Sequence, residues 1–221
     1  MEEENVFWAQ HHKGLQKALT PPGVGTPQQK VELGFENRVV AALHTAFRGT
    51  PVTVLGQKES DVRYVLQKTK KRDGIDIFSS PDAHLITPTS YIPIEIKFAH
   101  DYTSKAAKKK FNANDVPQAK RYIGGNLLKE VWSGAFAEYG APKSKKSILI
   151  TALPLSKEAV QRIIREHHVR PVSIYNLEEL ANFLPKELGP QRKVIHDNLA
   201  SLKREIIEFF EEYPEKPGPA A

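Results

Sequence analysis

The sequence of 221 residues contains no cysteine, one methionine and no long hydrophobic run. The lack of cysteine excludes disulfide bonds and metal sites built from thiolates. The lack of an apolar run of about 18 residues leads us to expect no membrane-spanning helix. Residues Met1–Asn5 are acidic and lack the basic and then apolar order of a signal peptide, so we expect an intracellular, cytoplasmic protein. The scarcity of cysteine and methionine beside 16 prolines would suit a thermophile or its virus.

The residues that are present have the balance of a soluble globular domain, with 40% hydrophobic and 26% charged residues. The length is sufficient for one domain with a sizeable core. The prolines and glycines of Pro21–Pro27 are typical of an extended loop. We therefore expect an N-terminal arm over residues 1–28, one domain over residues 29–213 and a disordered tail over residues 214–221.

Hydrophobic periodicity and turn residues predict alternating helices and strands. The first helix should run from about Pro27 to Arg48 and end at Gly49. This order of elements predicts an α/β fold with a central mixed β-sheet flanked by helices. The other predicted elements are strands at Val52–Leu55, Arg63–Leu66, Gly74–Ser79, Tyr91–Phe98, Ser147–Thr151 and Val172–Tyr175, an extra strand or loop at His84–Thr87, and helices between Asp115 and Gly124, at Ser156–His167, at Leu177–Leu184 and over residues 191–212.

Basic residues cluster on both sides of the strand predicted at Tyr91–Phe98, whereas the C-terminal helix is rich in glutamate. The net charge is +6. Positive charge concentrated around one part of a chain is typical of proteins that bind a phosphate backbone, although a solvated basic surface would have the same composition. The basic residues that we expect to contact nucleic acid are Lys105, Lys108, Lys109, Lys110, Lys120 and Arg121.

Two short apolar strands each carry one carboxylate between two isoleucines, Asp76 in the first and Glu95 in the second. Since side chains alternate along a strand, both carboxylates can lie on the polar face of an apolar ladder. Hard cations prefer oxygen ligands, and Mg²⁺ often takes only one or two carboxylates, so we expect Asp76 and Glu95 to hold Mg²⁺, with Mn²⁺ able to substitute. Lys97 lies on the same face as Glu95 and would place a fixed positive charge beside the site. A half-buried strand with one wet face would show the same alternation.

A further carboxylate lies on the first predicted helix. At about 100° per residue, Glu36 falls near the middle of the stripe formed by Val40, Leu43 and Phe47, and Glu32 falls near its edge. A buried carboxylate costs free energy unless it is paired or bound to a metal, so we expect a functional role for Glu36. Glutamates near the start of a helix can also face water or favour the helix dipole, and Glu32 stays an alternative to Glu36.

The order of Asp76 and then Glu95-Ile96-Lys97 resembles the signature of the PD-(D/E)XK nuclease superfamily, which includes many type II restriction enzymes and archaeal Holliday junction resolvases. Glu36 on the preceding helix, Gly74 shortly before Asp76, and Gln118 and Tyr122 in a Gln-x-x-x-Tyr order extend the resemblance over roughly residues 30–125. The proline of the superfamily signature normally stands directly before the first acid, where this chain has Ile75.

The resemblance implies a restriction-endonuclease-like core and a metal-dependent deoxyribonuclease. Glu36, Asp76, Glu95 and Lys97 would be the catalytic residues. Asp76, Glu95 and the carbonyl group of Ile96 would bind the metal ion. Gln118 and Tyr122 would help to hold the site and the DNA, although a surface glutamine and a packed tyrosine would show the same spacing.

Several functions and assemblies stay open at this point. The N-terminal arm and the C-terminal segments exceed a minimal resolvase core, so we expect a Mg²⁺-dependent endonuclease acting on duplex DNA; the alternatives are a nuclease of the Holliday junction resolvase type and a nucleic-acid-binding module that does not cleave. Symmetric cleavage of a duplex requires two sites, so we expect a homodimer. The hydrophobic residues Trp132, Phe136, Tyr139, Ile206, Phe209 and Phe210 could form its interface or could complete the core of a monomer.

Overall fold

The computed structural model describes residues 27–57, 64–67, 77–79, 81–87, 90–98, 111–112, 116–123 and 146–212. The predicted tail lies outside these residues, as does the predicted arm up to residue 26. The elements in chain order are α1 (Pro27–Phe47), β1 (Thr53–Gly56), β2 (Tyr64–Gln67), β3 (Ile77–Ser79), β4 (Ala83–Ile86), β5 (Tyr91–Lys97), α2 (Val116–Arg121), β6 (Ser147–Thr151), α3 (Lys157–His167), β7 (Val169–Ser173), a 3₁₀-helix (Ile174–Phe183), a short 3₁₀-helix (Lys186–Leu188) and α4 (Gln191–Glu211).

The centre of the fold is a five-stranded mixed sheet in the order β1-β4-β5-β6-β7. β4 pairs antiparallel with both β1 and β5, whereas β5, β6 and β7 run parallel. Consecutive parallel strands need a crossover connection, because the end of one strand and the start of the next lie at opposite ends of the sheet. The α/β class and the mixed sheet flanked by helices are therefore confirmed. No helix among the described residues is long and apolar enough to cross a bilayer.

One face of the sheet packs against α1, α4 and the longer 3₁₀-helix. Ile92, Ile94 and Ile96 all point to this face, as the alternation of β5 requires. Helices α1 and α4 approach closely: a Cβ atom at Gly34 would lie 3.3 Å from Cζ of Phe209. This layer holds the larger of the two hydrophobic clusters.

The other face of the sheet is covered by α2 and α3. The cluster there contains Leu149 and Val169 from the sheet, Val116 and Ala119 from α2, and Ile163 from α3. Helix α3 begins where the Ser156 hydroxyl accepts a hydrogen bond from the Ala159 N–H at 3.2 Å, as expected of an N-cap serine. The chain therefore forms three layers, with the sheet in the middle.

Three predicted elements differ from the structure. β7 begins at Val169 rather than Val172, because His168 adopts φ 56° and reverses the chain directly after α3. The predicted helix at Leu177–Leu184 is a 3₁₀-helix that starts at Ile174, where the Ser173 hydroxyl accepts a hydrogen bond from the Tyr175 N–H.

The third difference concerns the acidic strands. β3, the described part of the strand predicted at Gly74–Ser79, pairs with β2 in a separate two-stranded sheet. The strand beside β5 is instead β4, which covers most of the segment His84–Thr87 that the sequence left as an extra strand or a loop. The strand that pairs with β5 therefore begins immediately after Asp82, and the site role predicted for the strand of Asp76 stays a prediction, because Asp76 lies outside the described residues.

Candidate active site

The site is built on β5, at the end where this strand meets β6. Glu95 lies beside Leu149 and Lys97 beside Thr151 in the parallel ladder, so both side chains leave the sheet on the face of α2. Glu95 is fully buried, whereas 21% of the Lys97 side chain is exposed. The Lys97 ammonium donates a hydrogen bond to Oε1 of Glu95. A buried carboxylate thus has a fixed cation on its solvent side.

Asp82 is the second carboxylate of the site. It directly follows Pro81 and precedes β4, which runs antiparallel to β5. Its Oδ2 accepts a hydrogen bond from the Ile96 N–H at 2.7 Å, and its backbone carbonyl accepts one from the Gln57 N–H at 3.0 Å. These two bonds hold the carboxylate of Asp82 beside the peptide group between Glu95 and Ile96.

Glu36 reaches the same place from α1. Its charge interacts with those of Asp82, Lys97 and Glu95, so helix and strands contribute to one cluster. The carboxylates of Glu36 and Asp82 border a cleft of about 190 Å³ between α1 and the edge of the sheet. The cleft is lined by Leu33, Glu36, Asn37, Val40, Gly56, Gln57 and Asp82.

The three carboxylates resist ionisation together. Burial, and then the negative charge of Asp82, raise the pKa of Glu36 to about 8 and that of Glu95 to about 8. Burial also raises the pKa of Asp82, although Lys97 and the Ile96 N–H oppose the rise. Burial alone would lower the pKa of Lys97, but the charges of Glu95, Asp82 and Glu36 outweigh it and leave that pKa above its ordinary value.

Tyr122 covers the other side of Glu95. It is fully buried just beyond the end of α2, and its hydroxyl lies close enough to Glu95 to lower the pKa of that carboxyl. Oε2 of Glu95 nevertheless has no hydrogen bond of ordinary geometry with the described residues. A buried carboxylate oxygen in this state is costly unless it acquires a partner.

The donor set suits a hard divalent cation, although no three acidic or histidine side chains within the described residues stand close enough to hold a metal as they are. Glu95 and Asp82 supply carboxylate oxygens, the atoms that Mg²⁺ prefers, and Mg²⁺ commonly needs only one or two of them. The raised pKa values and the buried Oε2 of Glu95 indicate a site that gains from added positive charge. The residues therefore fit a Mg²⁺ ion held by Asp82 and Glu95.

The structure brings together three of the four predicted catalytic residues, namely Glu36, Glu95 and Lys97. Asp76 lies outside the described residues. Glu36 is the helix carboxylate that faces the cluster, because its pKa responds to the charges of Asp82, Lys97 and Glu95. Ile96 holds Asp82 through its N–H, while the predicted role of its carbonyl as a metal ligand stays a prediction.

Asp82 is not among the site residues predicted from the sequence, because Ser80-Pro81-Asp82 has the composition of a turn. The signal that could have found it is the proline directly before an acid, which is the usual order of the superfamily signature and which Asp76 lacks. A turn and a site acid have the same local sequence here, and only the pairing of β4 with β5 separates them.

The predicted nucleic-acid contacts are only partly within the described residues. Lys120 is exposed on α2 and Tyr122 is buried at the site. Gln118 and Arg121 belong to α2, but their side chains lie outside the description. Lys105, Lys108, Lys109 and Lys110 lie outside the described residues altogether.

Comparisons of this chain with protein-family models, with curated proteins and with solved structures found no match.

Proposed function

We propose that this protein is a Mg²⁺-dependent DNA endonuclease of the restriction-endonuclease-like type, which hydrolyses phosphodiester bonds in duplex DNA. The observation that carries the proposal is the convergence of Asp82, Glu95 and Lys97 at the ends of two paired strands, with Glu36 facing them from α1. With Pro81 directly before Asp82, this set has the order of the PD-(D/E)XK signature that the sequence resembles.

Each side chain has a role that follows from its position. Asp82 and Glu95 would hold the metal ion, with Glu36 and the Ile96 carbonyl as further oxygen ligands. A bound Mg²⁺ supplies a lowered pKa for a coordinated water and charge stabilisation at a phosphoryl oxygen. Lys97 keeps its proton in the presence of three carboxylates and can stabilise negative charge that develops on the phosphate.

Asp82 here has the metal-binding role that was predicted from the sequence for Asp76. Two matched variants separate these versions: Asp82→Asn should abolish cleavage and leave DNA binding intact or tighter, because a negative charge facing phosphate is removed, whereas Asp76→Asn should retain cleavage. The measurement is nicking of supercoiled plasmid, with Mg²⁺, with Mn²⁺ and with chelator. Loss of cleavage in Asp76→Asn alone would instead support the prediction from the sequence, in which Asp76 binds the metal ion.

A control variant guards against general effects of removing an aspartate. Asp197 lies on α4 with 61% of its side chain exposed, so Asp197→Asn should cleave like the unmodified protein. Circular dichroism of each variant would show that it is folded. A folded protein that binds DNA but nicks neither plasmid nor a four-way junction with either metal would refute the endonuclease and favour the binding module. Cleavage of the junction in preference to plasmid would favour the resolvase alternative.

The homodimer remains part of the proposal in a reduced form. Ile206, Phe209 and Phe210 are buried in the core between α1, α4 and the sheet, which is the alternative that the sequence left open for them. The interface would therefore use the segment of Trp132, Phe136 and Tyr139, which lies outside the described residues. Sedimentation should give about twice the 24.8 kDa chain mass, with little nicked circle accumulating before the linear product. A monomer that accumulates nicked circle would refute the dimer.

A further inference from the structure

Three basic side chains converge on the face of the sheet opposite Glu95 and Lys97. Lys146 precedes β6, and Arg170 lies on β7 beside Ile148 in the parallel ladder. Since Ile148 belongs to the core under α4 and side chains alternate along a strand, Lys146, Ile148 and Arg170 all project to the α4 face. Arg192 stands in the first turn of α4 on that same side. The three cations thus come from separate elements and meet at the amino ends of β6 and β7.

Two of these side chains are fixed by one turn of backbone. The Lys146 ammonium donates a hydrogen bond to the Phe183 carbonyl. The Arg192 guanidinium donates from Nε to the Ala181 carbonyl at 3.1 Å and from Nη2 to the Asn182 carbonyl at 3.0 Å. The three consecutive carbonyls belong to the end of the 3₁₀-helix, so the two cations are held in place before any ligand arrives.

Capping of this helix end explains only part of the arrangement. Lys146 and Arg192 satisfy carbonyl groups that a helix end leaves without partners. Arg170 adds a third positive charge close enough to act on Lys146, although the capped carbonyls already have two cationic donors. Like charges held together cost free energy, and this cost would be recovered by an anion.

The electrostatic balance of the cluster is strongly positive. Burial, and then the charges of Arg170 and Arg192, lower the pKa of Lys146, and Glu187 is the one carboxylate within the described residues that acts on it in the opposite direction. All three basic side chains are half-buried rather than extended into solvent. Three half-buried basic side chains, two of them held by hydrogen bonds, suit a compact anion with several oxygens, because guanidinium groups bind phosphate through paired hydrogen bonds.

We infer that Lys146, Arg170 and Arg192 form a binding site for a phosphate group, supplied either by a small molecule such as pyrophosphate or a nucleotide or by the terminal phosphate of a nucleic acid. The site is separate from Glu95 and Lys97, since these two side chains leave the sheet on the α2 face whereas Lys146 and Arg170 project to the α4 face. The inference goes beyond the proposed nuclease and does not depend on it.

The test is binding of sodium pyrophosphate to the full chain in metal-free buffer, followed by thermal unfolding and by titration calorimetry, with sodium chloride at matched ionic strength as reference. Pyrophosphate should raise the unfolding temperature of the unmodified protein beyond the chloride reference. Arg170→Gln should weaken binding at least about tenfold, because a charge-assisted hydrogen bond is lost. Arg170 lies on a strand outside the capped turn, so this variant leaves the carbonyl partners of Lys146 and Arg192 in place.

A matched control and a competing location complete the design. Arg165→Gln removes an equal charge from α3, where 78% of the side chain is exposed, and should bind pyrophosphate like the unmodified protein. Lys97→Gln should also bind normally; loss of binding in this variant would place the anion at the acidic site and overturn the inference. No stabilisation beyond chloride, or equal binding by Arg170→Gln and the unmodified protein, would overturn it as well.

The same assay identifies the source of the phosphate. An oligonucleotide with a 5′-phosphate and the same oligonucleotide without it should bind differently only if the terminal phosphate of nucleic acid is the ligand, and that difference should vanish in Arg170→Gln. Tight binding of ATP with no effect of the 5′-phosphate would assign the site to small phosphates. Either result identifies only the source of the phosphate, because the pyrophosphate test already decides whether the phosphate site exists.

Discussion

The acidic cluster makes a prediction about how stability depends on pH. The pKa values of Glu36 and Glu95 are both raised to about 8 from an ordinary value of 4.5, so the folded protein keeps protons that the unfolded chain has released. A carboxyl with a raised pKa stabilises the fold fully below its unfolded pKa and loses this contribution as pH rises through its folded pKa. The free energy of unfolding should therefore fall between about pH 5 and pH 8 in metal-free buffer.

The size of this fall in the free energy of unfolding follows from the linkage between proton binding and folding. Each proton held by the folded state and absent from the unfolded state changes the free energy of unfolding by about 1.4 kcal/mol per pH unit. For one retained proton, the loss between about pH 5.5 and pH 7.5 is about 2.7 kcal/mol. Because the carboxyls of Glu36, Asp82 and Glu95 interact, the proton belongs to the cluster and not to one of them.

The assay is denaturant unfolding at a series of pH values, with Glu36→Gln as the decisive variant. Glutamine cannot ionise and relieves the repulsion on Glu95, so the variant should show a flatter dependence and should be more stable than the unmodified protein at pH 7.5. Glu178→Gln is the matched control: burial opposes ionisation of Glu178, but the 2.9 Å bond from Lys203 helps to hold its pKa below the ordinary value. This control should lose stability without changing the slope in this range.

A slope that is flat or rising from pH 5.5 to pH 7.5, or one that Glu36→Gln leaves unchanged, would refute the reasoning. Histidine protonation contributes to both proteins equally, so the difference between them isolates the cluster. Addition of Mg²⁺ should stabilise the unmodified protein more at pH 7.5 than at pH 5.5, because protons and the cation compete for the same carboxylates.

Three further predictions concern binding and stability. Replacement of Lys108–Lys110 by glutamine should reduce the salt slope of DNA binding by up to about 2 to 3 units, measured by titration at several salt concentrations; an unchanged slope would make the cluster a solvated surface. Ser156→Ala should lower the free energy of unfolding by about 1 kcal/mol through loss of the cap on Ala159, with Ser156→Asp as the conservative control that restores it. Gly34→Val should lower the free energy of unfolding by about 1 to 3 kcal/mol, because even a Cβ atom there would lie 3.3 Å from Cζ of Phe209. If denaturant unfolding shows the variant to be as stable as the unmodified protein or more stable, the ring can move aside.

The central strand and its charges could be predicted from the sequence because their signal is local. Strict alternation in Tyr91–Phe98 places Glu95 and Lys97 on one face whatever lies on either side. The same holds for Glu36, whose angle relative to the apolar stripe of α1 fixes the side of the helix on which it lies.

The second strand of the site, β4, could not be predicted from local sequence patterns. Asp82 becomes a site residue only because β4 pairs with β5, and pairing between strands is decided by the whole core and not by the residues of either strand. The proposed phosphate-binding site could not be predicted from the sequence, for a similar reason. Lys146, Arg170 and Arg192 are separated along the chain and come together through the parallel register of β6 with β7 and through α4.

The contact between α1 and α4 has a consequence for how the protein folds. The first and last described helices share one core layer, where Gly34 faces Phe209 and Asn198 donates a hydrogen bond to the Ala46 carbonyl at 3.1 Å. Contacts between such distant parts of the chain form slowly, because a long loop must close first. During synthesis, the apolar side of α1 and one face of the sheet would stay exposed to solvent until α4 has left the ribosome. We therefore expect the protein to need chaperones or a low concentration while it is being synthesised, although the folded protein does not need them.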